Sequence, residues 1–189
     1  LIKVKESEKV ALNSTFKNMK EYYSNAQISL LKDYYTEIGL IYNTGNLQID
    51  NSVFDNFDYP KEIEIDNFTI KELGVIYNLN SATITNTNFT NINTRAINNT
   101  GNLKLEKTLF ENITTNTLKI LINTSEFNKI SENTIYQSYT GYREKTTYTT
   151  YESKNYFLNG GAVYNTNNLT ISESQFRNII SYYGGAIFN

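Results

Sequence analysis

Residues 160–179 read GGAVYNTNNLTISESQFRNI, and at residue 184 the chain opens the same phrase again as GGAIFN (184–189). Within that stretch Phe176 is preceded by Leu169 and Ile171, at minus seven and minus five, and followed by Ile179 at plus three. Two apolar residues flanking one other residue share a face of a strand, because strand side chains alternate with period two. The residue between them, Thr170, is polar, as a solvent-facing position should be. The stretch reads as short strands separated by sharp bends.

Self-similarity over a long period outranks any single element, since missing it misreads the whole fold. The same four offsets return as Leu47, Ile49, Phe54, Phe57; as Ala82, Ile84, Phe89, Ile92; as Leu103, Leu105, Phe110, Ile113; and as Ile120, Ile122, Phe127, Ile130. Two further copies carry substitutions, Ile28, Leu30, Tyr35, Ile38 and Ile63, Ile65, Ile70, Leu73, which makes seven. Phe16, with Ala11 and Met19, forms an eighth and degraded one. The central residues of the seven are separated by 19, 16, 19, 21, 17 and 49 positions, so only the last step breaks the period. A second strand precedes the triplet in four copies, at 39–43, 74–78, 95–99 and 161–165, and its third residue lies 13 positions before the Phe each time.

Two Asn columns mark bends: Asn43, Asn78, Asn99, Asn165 at one offset, and Asn56, Asn91, Asn112, Asn178 at another. Asn tolerates left-handed backbone angles, and identical Asn residues on stacked strands can bond amide to amide. About 19 residues of strands and bends, repeated with inward apolar positions in register, describe one rung of a parallel β-helix. The expectation is an all-β, right-handed parallel β-helix of seven to eight rungs, a single segment over residues 1–189 with an insertion at 132–159. The left-handed type would show a strict six-residue pattern, which is absent. An antiparallel sandwich would need hairpin turns every 8–12 residues and no fixed offset. Phe54, Phe89, Phe110, Phe127 and Phe176 are expected in one internal column, with Tyr35 and Ile70 aligned to them. The repeat opening at residue 184 predicts that the rod continues in a longer protein.

Composition narrows the chemistry. The 19 acidic and 17 basic side chains give a net charge of −2, which leaves no electrostatic footprint for nucleic acid or an anionic membrane. With no Cys and no His, disulfides, zinc–thiolate sites and the commonest general base are excluded. No stretch approaches the roughly 20 apolar residues that span a bilayer as a helix.

The pair formed by Gly160-Gly161-Ala162-Val163 and Phe176-Arg177-Asn178, with Gly184-Gly185-Ala186-Ile187 starting the next, resembles the repeat of chlamydial polymorphic outer membrane proteins. The Asn/Thr/Tyr-rich setting is similar to the large adhesin-like surface proteins of methanogenic archaea. That resemblance covers residues 160–189 fully and is eroded elsewhere, with one Gly lost at Gly39 and Gly74 and both lost at Arg95-Ala96. It implies a secreted or surface-anchored β-helix acting in adhesion, and it names no catalytic residue.

Three features compete for function. Asp50, Asp55, Asp58, Glu62, Glu64 and Asp66 are the nearest approach to the paired carboxylates of a glycosidase or the acid cluster of a calcium-dependent lyase. They fall at the join between two rungs, where solvated charge is the ordinary explanation, and Arg95, replacing a turn Gly, reads as a surface turn residue. No catalytic residue, metal ligand or cofactor site is assigned. The stretch 132–159 holds Tyr136, Tyr139, Tyr142, Tyr148, Tyr151 and Tyr156, outside the repeat, with balanced charge. Tyr offers flat faces for glycans or protein surfaces, while the plainer reading is a flap packed on the rod. Seven Asn-x-Ser/Thr sequons (Asn13, Asn67, Asn88, Asn98, Asn112, Asn123, Asn168) are close to what this composition yields by chance. The sequence thus points to a non-enzymatic structural and adhesive segment of an extracellular or cell-surface protein that binds glycan or protein. A carbohydrate-active β-helix enzyme and a mechanical spacer are the alternatives.

Overall fold

A computed structural model describes residues 2–17, 40–58, 62–66, 74–115, 118–123, 151–156 and 160–189, with the strands at 62–66, 118–123 and 151–156 described by their backbone. The described residues form strands and bends and no helix. Five successive rungs each contribute three strands: β1 (Ile2–Val4), β2 (Lys9–Leu12) and β3 (Thr15–Lys17); β4 (Ile41–Asn43), β5 (Asn46–Asp50) and β6 (Val53–Asp58); β8 (Ile76–Asn78), β9 (Ser81–Thr85) and β10 (Asn88–Asn93); β11 (Ile97–Asn99), β12 (Asn102–Glu106) and β13 (Leu109–Thr114); β16 (Val163–Asn165), β17 (Leu169–Ser172) and β18 (Gln175–Ile180). A sixth rung begins with β19 (Ile187–Phe188). Like strands stack on like, giving parallel sheets β1-β4-β8-β11-β16-β19, β2-β5-β9-β12-β17 and β3-β6-β10-β13-β18. The fold is a parallel β-helix, as the repeat predicts.

The aromatic column holds over the described rungs. Phe16, Phe54, Phe89, Phe110 and Phe176 face their counterparts in register. Their rings stack at centroid distances of 5.0, 4.7, 4.9 and 4.9 Å. Phe54, Phe89 and Phe110 are fully buried, with Ile49, Ile84 and Leu105 beside them. Stacked parallel strands force equivalent side chains to about the strand spacing, which suits offset aromatic stacking.

Two of the seven copies are not rungs. Ile63 and Ile65 lie on β7 (Glu62–Asp66), Ile120 and Ile122 on β14 (Leu118–Asn123), and β14 pairs with β7 on one side and with β15 (Tyr151–Tyr156) on the other in a separate sheet, order β15-β14-β7. Their register, Ile63 to Ile120 and Ile65 to Ile122, is the one the template predicts, but the rod passes them by: β6 pairs directly with β10 and β13 with β18. The physical reason is that period-two apolar alternation satisfies any sheet, inside a rod or outside it. Ile70, Leu73, Phe127, Ile130 and the copy Ile28, Leu30, Tyr35, Ile38 lie outside the described residues; β3 pairs directly with β6, so no rung stands between them. The degraded copy at Phe16 is a true rung. Its inward residues are Val10 and Leu12 rather than Ala11, because one residue fewer separates Leu12 from Phe16 than Ile49 from Phe54.

Candidate functional site

The three corners of the rod are built differently, and that difference locates the site. At the first corner the buried Asn column forms a continuous ladder: Asn43 Nδ2 donates to Asn78 Oδ1, Asn78 to Asn99 and Asn99 to Asn165, each at 2.6 Å, and Asn165 donates to Asn189 at 2.5 Å. At the second corner a column of hydroxyls repeats one pattern. Ser52, Thr87, Thr108 and Ser174 each donate to the carbonyl two residues earlier, and Ser52, Thr87 and Ser174 also accept an amide from the neighbouring rung, from Ser14, Ser52 and Thr108. The residue before each hydroxyl, Asn51, Asn86, Lys107 or Glu173, takes a left-handed φ between 47° and 50°. Sequence reading missed this column because Ser and Thr alternate in it and the left-handed positions mix Asn, Lys and Glu.

Both corners are nearly invariant in length. The third corner, where each rung passes to the next, is not. The links between the third and first strands run through residues 18–40, 59–75, 94–96, 115–162 and 181–186. The shortest is Thr94-Arg95-Ala96, all three buried. Arg95 corrects its reading as a surface residue: it is fully buried, with its guanidinium carbon 4.6 Å from the Tyr164 ring centroid. It occupies the position of Gly74, Gly161 and Gly185, and Gly161 has no room for a side chain, since a Cβ there would meet Ile179 Cγ2 at 2.2 Å. Gly160 before it has φ 71°, so the Gly pair serves a left-handed turn and then a close contact.

The separate sheet is assembled from two of these links. β7 comes from 59–75, β14 and β15 from 115–162, and the parallel β7–β14 pairing joins them across the rungs that Thr94-Arg95-Ala96 connects. Of the candidate binding residues, Tyr151 and Tyr156 are the end positions of β15, in register with Asn123 and Leu118 of β14. Tyr136, Tyr139, Tyr142 and Tyr148 lie outside the described residues. The link that holds them begins at 115 rather than 132 and takes in the supposed copy at 120–130.

The acids do not converge. Asp50 Oδ1 accepts from Thr85 Oγ1 at 2.5 Å and Asn86 Nδ2 at 2.9 Å; Asp55 Oδ1 accepts from Thr90 Oγ1 at 2.7 Å and Asn91 Nδ2 at 2.8 Å; Asp58 Oδ1 accepts from Asn93 Nδ2 at 2.8 Å. Each carboxylate thus ties its rung to the next one. The Thr85 hydroxyl and then the Asn86 amide hold the Asp50 carboxyl below its ordinary value, and Thr90 and Asn91 do the same for Asp55. Glu62, Glu64 and Asp66 lie in the link between those two rungs, on β7, which belongs to the separate sheet rather than to the sheets that carry Asp50, Asp55 and Asp58. Among the described residues no group of three or more His, Cys, Asp or Glu could hold a metal ion.

Comparison with protein-family models, curated proteins and solved structures finds no match for this chain.

Proposed function

We propose that this chain is a non-enzymatic, adhesive segment of a secreted or cell-surface rod, in which the five rungs act as scaffold and the third-corner links carry the binding surface for a glycan or protein. The observation that supports this reading is the confinement of length variation to one corner. Insertions in a solenoid are tolerated where they leave the core and ladders intact, and insertions gathered on one side form a surface that can vary independently of the rod. Here two of them, at 59–75 and 115–162, contribute strands to one sheet. The Tyr-rich stretch belongs to the longer link, and its balanced charge favours stacking on neutral surfaces over electrostatic steering.

Deleting residues 116–159 would leave Thr115-Gly160-Gly161-Ala162 between β13 and β16, close to the natural Thr94-Arg95-Ala96 link. The shortened chain should keep its β-sheet circular dichroism and lose glycan-array or cell binding shown by the parent. Binding that survives the deletion would overturn the assignment of recognition to this link.

A further inference from the structure

The sequons that are indistinguishable in the sequence are sorted by the structure. Asn98 is buried at 1% exposure on β11. Asn112 donates to Asn91 Oδ1 at 3.1 Å and accepts from Asn178 at 2.7 Å, and Asn168 donates to Asn102 Oδ1 at 2.8 Å. These three carboxamides are built into the fold. Asn67 and the side chain of Asn123 lie outside the described residues, and Asn13 is exposed at the turn between β2 and β3.

Asn13 and Asn88 are both exposed with no side-chain hydrogen bond among the described residues, and Asn88 differs from Asn13 in the side chains that frame it. It is exposed at the start of β10, and among the described residues its carboxamide takes part in no hydrogen bond. Its partners on either side are Val53 of β6 and Leu109 of β13, two outward-facing, half-buried apolar side chains. Apolar outward positions framing a free amide are what the apolar face of a sugar ring covers. The motif Asn88-Phe89-Thr90 supplies the hydroxyl at plus two that the acceptor sequence requires.

We propose that Asn88 is an N-glycosylation site whose first sugar lies over Val53 and Leu109. In the transfer, the Asn88 amide nitrogen attacks the anomeric carbon of a lipid-linked oligosaccharide. The bond from that carbon to the phosphate oxygen breaks, the N-glycosidic bond forms, and the amide gives up one proton. The donor is a polyprenyl pyrophosphate oligosaccharide, so the inference rests on the secreted or surface reading, although it does not need adhesion.

The test is the full chain secreted from cells that carry an oligosaccharyltransferase. The product is treated with a peptide N-glycosidase in oxygen-18 water and mapped by mass spectrometry. Asn88 should carry the isotope label in most molecules, and Asn98, Asn112 and Asn168 in none. Asn88→Gln should remove one glycan mass while the circular dichroism stays unchanged. In Val53→Ser/Leu109→Ser, occupancy should persist while the glycosylated form loses its gain in melting temperature over the enzymatically deglycosylated form. An unlabelled Asn88 in secreted, folded protein, or label on any of the three built-in Asn residues, overturns the proposal. Binding of the parent chain and of its 116–159 deletion is read separately, so failure of the adhesive reading and failure of the glycan site are distinguishable.

Discussion

Asn99→Ala cuts the buried ladder at its centre. Asn99 accepts from Asn78 and donates to Asn165 Oδ1 at 2.6 Å and to Gly101 O at 2.9 Å. After truncation Asn78 Nδ2 keeps the carbonyl of Asn102 at 3.0 Å, so its loss is small. Asn165 Oδ1 and Gly101 O each lose a buried donor, at about 1–3 kcal/mol apiece for an unsatisfied buried group. The expected cost is about 2–6 kcal/mol, read as a lower urea midpoint at unchanged m. Asn99→Asp keeps the volume but cannot donate, and it should be at least as damaging. The exposed column provides the contrast: Asn91 has φ 53° and bonds Asp55 and Asn112 in solvent, so Asn91→Gly should cost under about 1 kcal/mol, and Asn91→Ala up to about 1 kcal/mol more because Ala lacks the tolerance of Asn and Gly for the left-handed region. A loss below about 1 kcal/mol for Asn99→Ala would refute the view that the ladder is a buried structural element.

Phe110→Ala, removing a fully buried ring stacked at 4.9 Å on both Phe89 and Phe176, should cost about 3–5 kcal/mol in the same melts, and a loss under about 1 kcal/mol would mean the column is not core. Lys107→Asn, at φ 50° where other rungs carry Asn51 and Asn86, should stabilise by up to about 1 kcal/mol; a destabilised variant would show that Lys107 has a role beyond the turn. Because Asp50 and Asp55 are held below their ordinary values when folded, the unfolded chain takes up their protons first as the pH drops below about 4, so stability should fall with pH in that range. Asp50→Asn/Asp55→Asn should flatten that acid limb modestly, since both groups face solvent; an unchanged slope would remove them as its cause.

The parts of the fold that were legible in the sequence repeat one residue type at one offset. The Phe column and both Asn columns are of that kind, and they fix the register of every described rung. The hydroxyl corner was hidden because Ser and Thr substitute freely when only the hydroxyl matters. The miscounted rungs have a different cause. Ile63/Ile65 and Ile120/Ile122 obey the strand period as well as any true rung, but neither has the full preceding strand: the first has Tyr59 at the ladder offset, and the second has Asn116 there but Thr114 where true rungs carry Ile41, Ile76, Ile97 and Val163. That missing strand was the available signal. Arg95 was misjudged because its burial depends on residues far away in sequence, such as Tyr164 against its guanidinium, which no local pattern records. The Tyr positions are spaced by neither the strand period nor the rung period, so the sequence shows only that they stand outside the repeat.

The central claim is that five rungs stack without interruption while the strands at 62–66, 118–123 and 151–156 form a separate sheet, and one distance measurement bears on it directly. Ala11 and Thr170 face outward on the second sheet at its two ends, linked in register through Gln48, Thr83 and Lys104. The chain has no native Cys, so Ala11→Cys/Thr170→Cys can be spin-labelled cleanly. Four steps at about 4.8 Å predict a separation near 19 Å, broadened by the label arms, in a pulsed electron–electron double-resonance experiment. A distance near 34 Å, the seven steps expected if every copy of the template were a rung, would contradict the account.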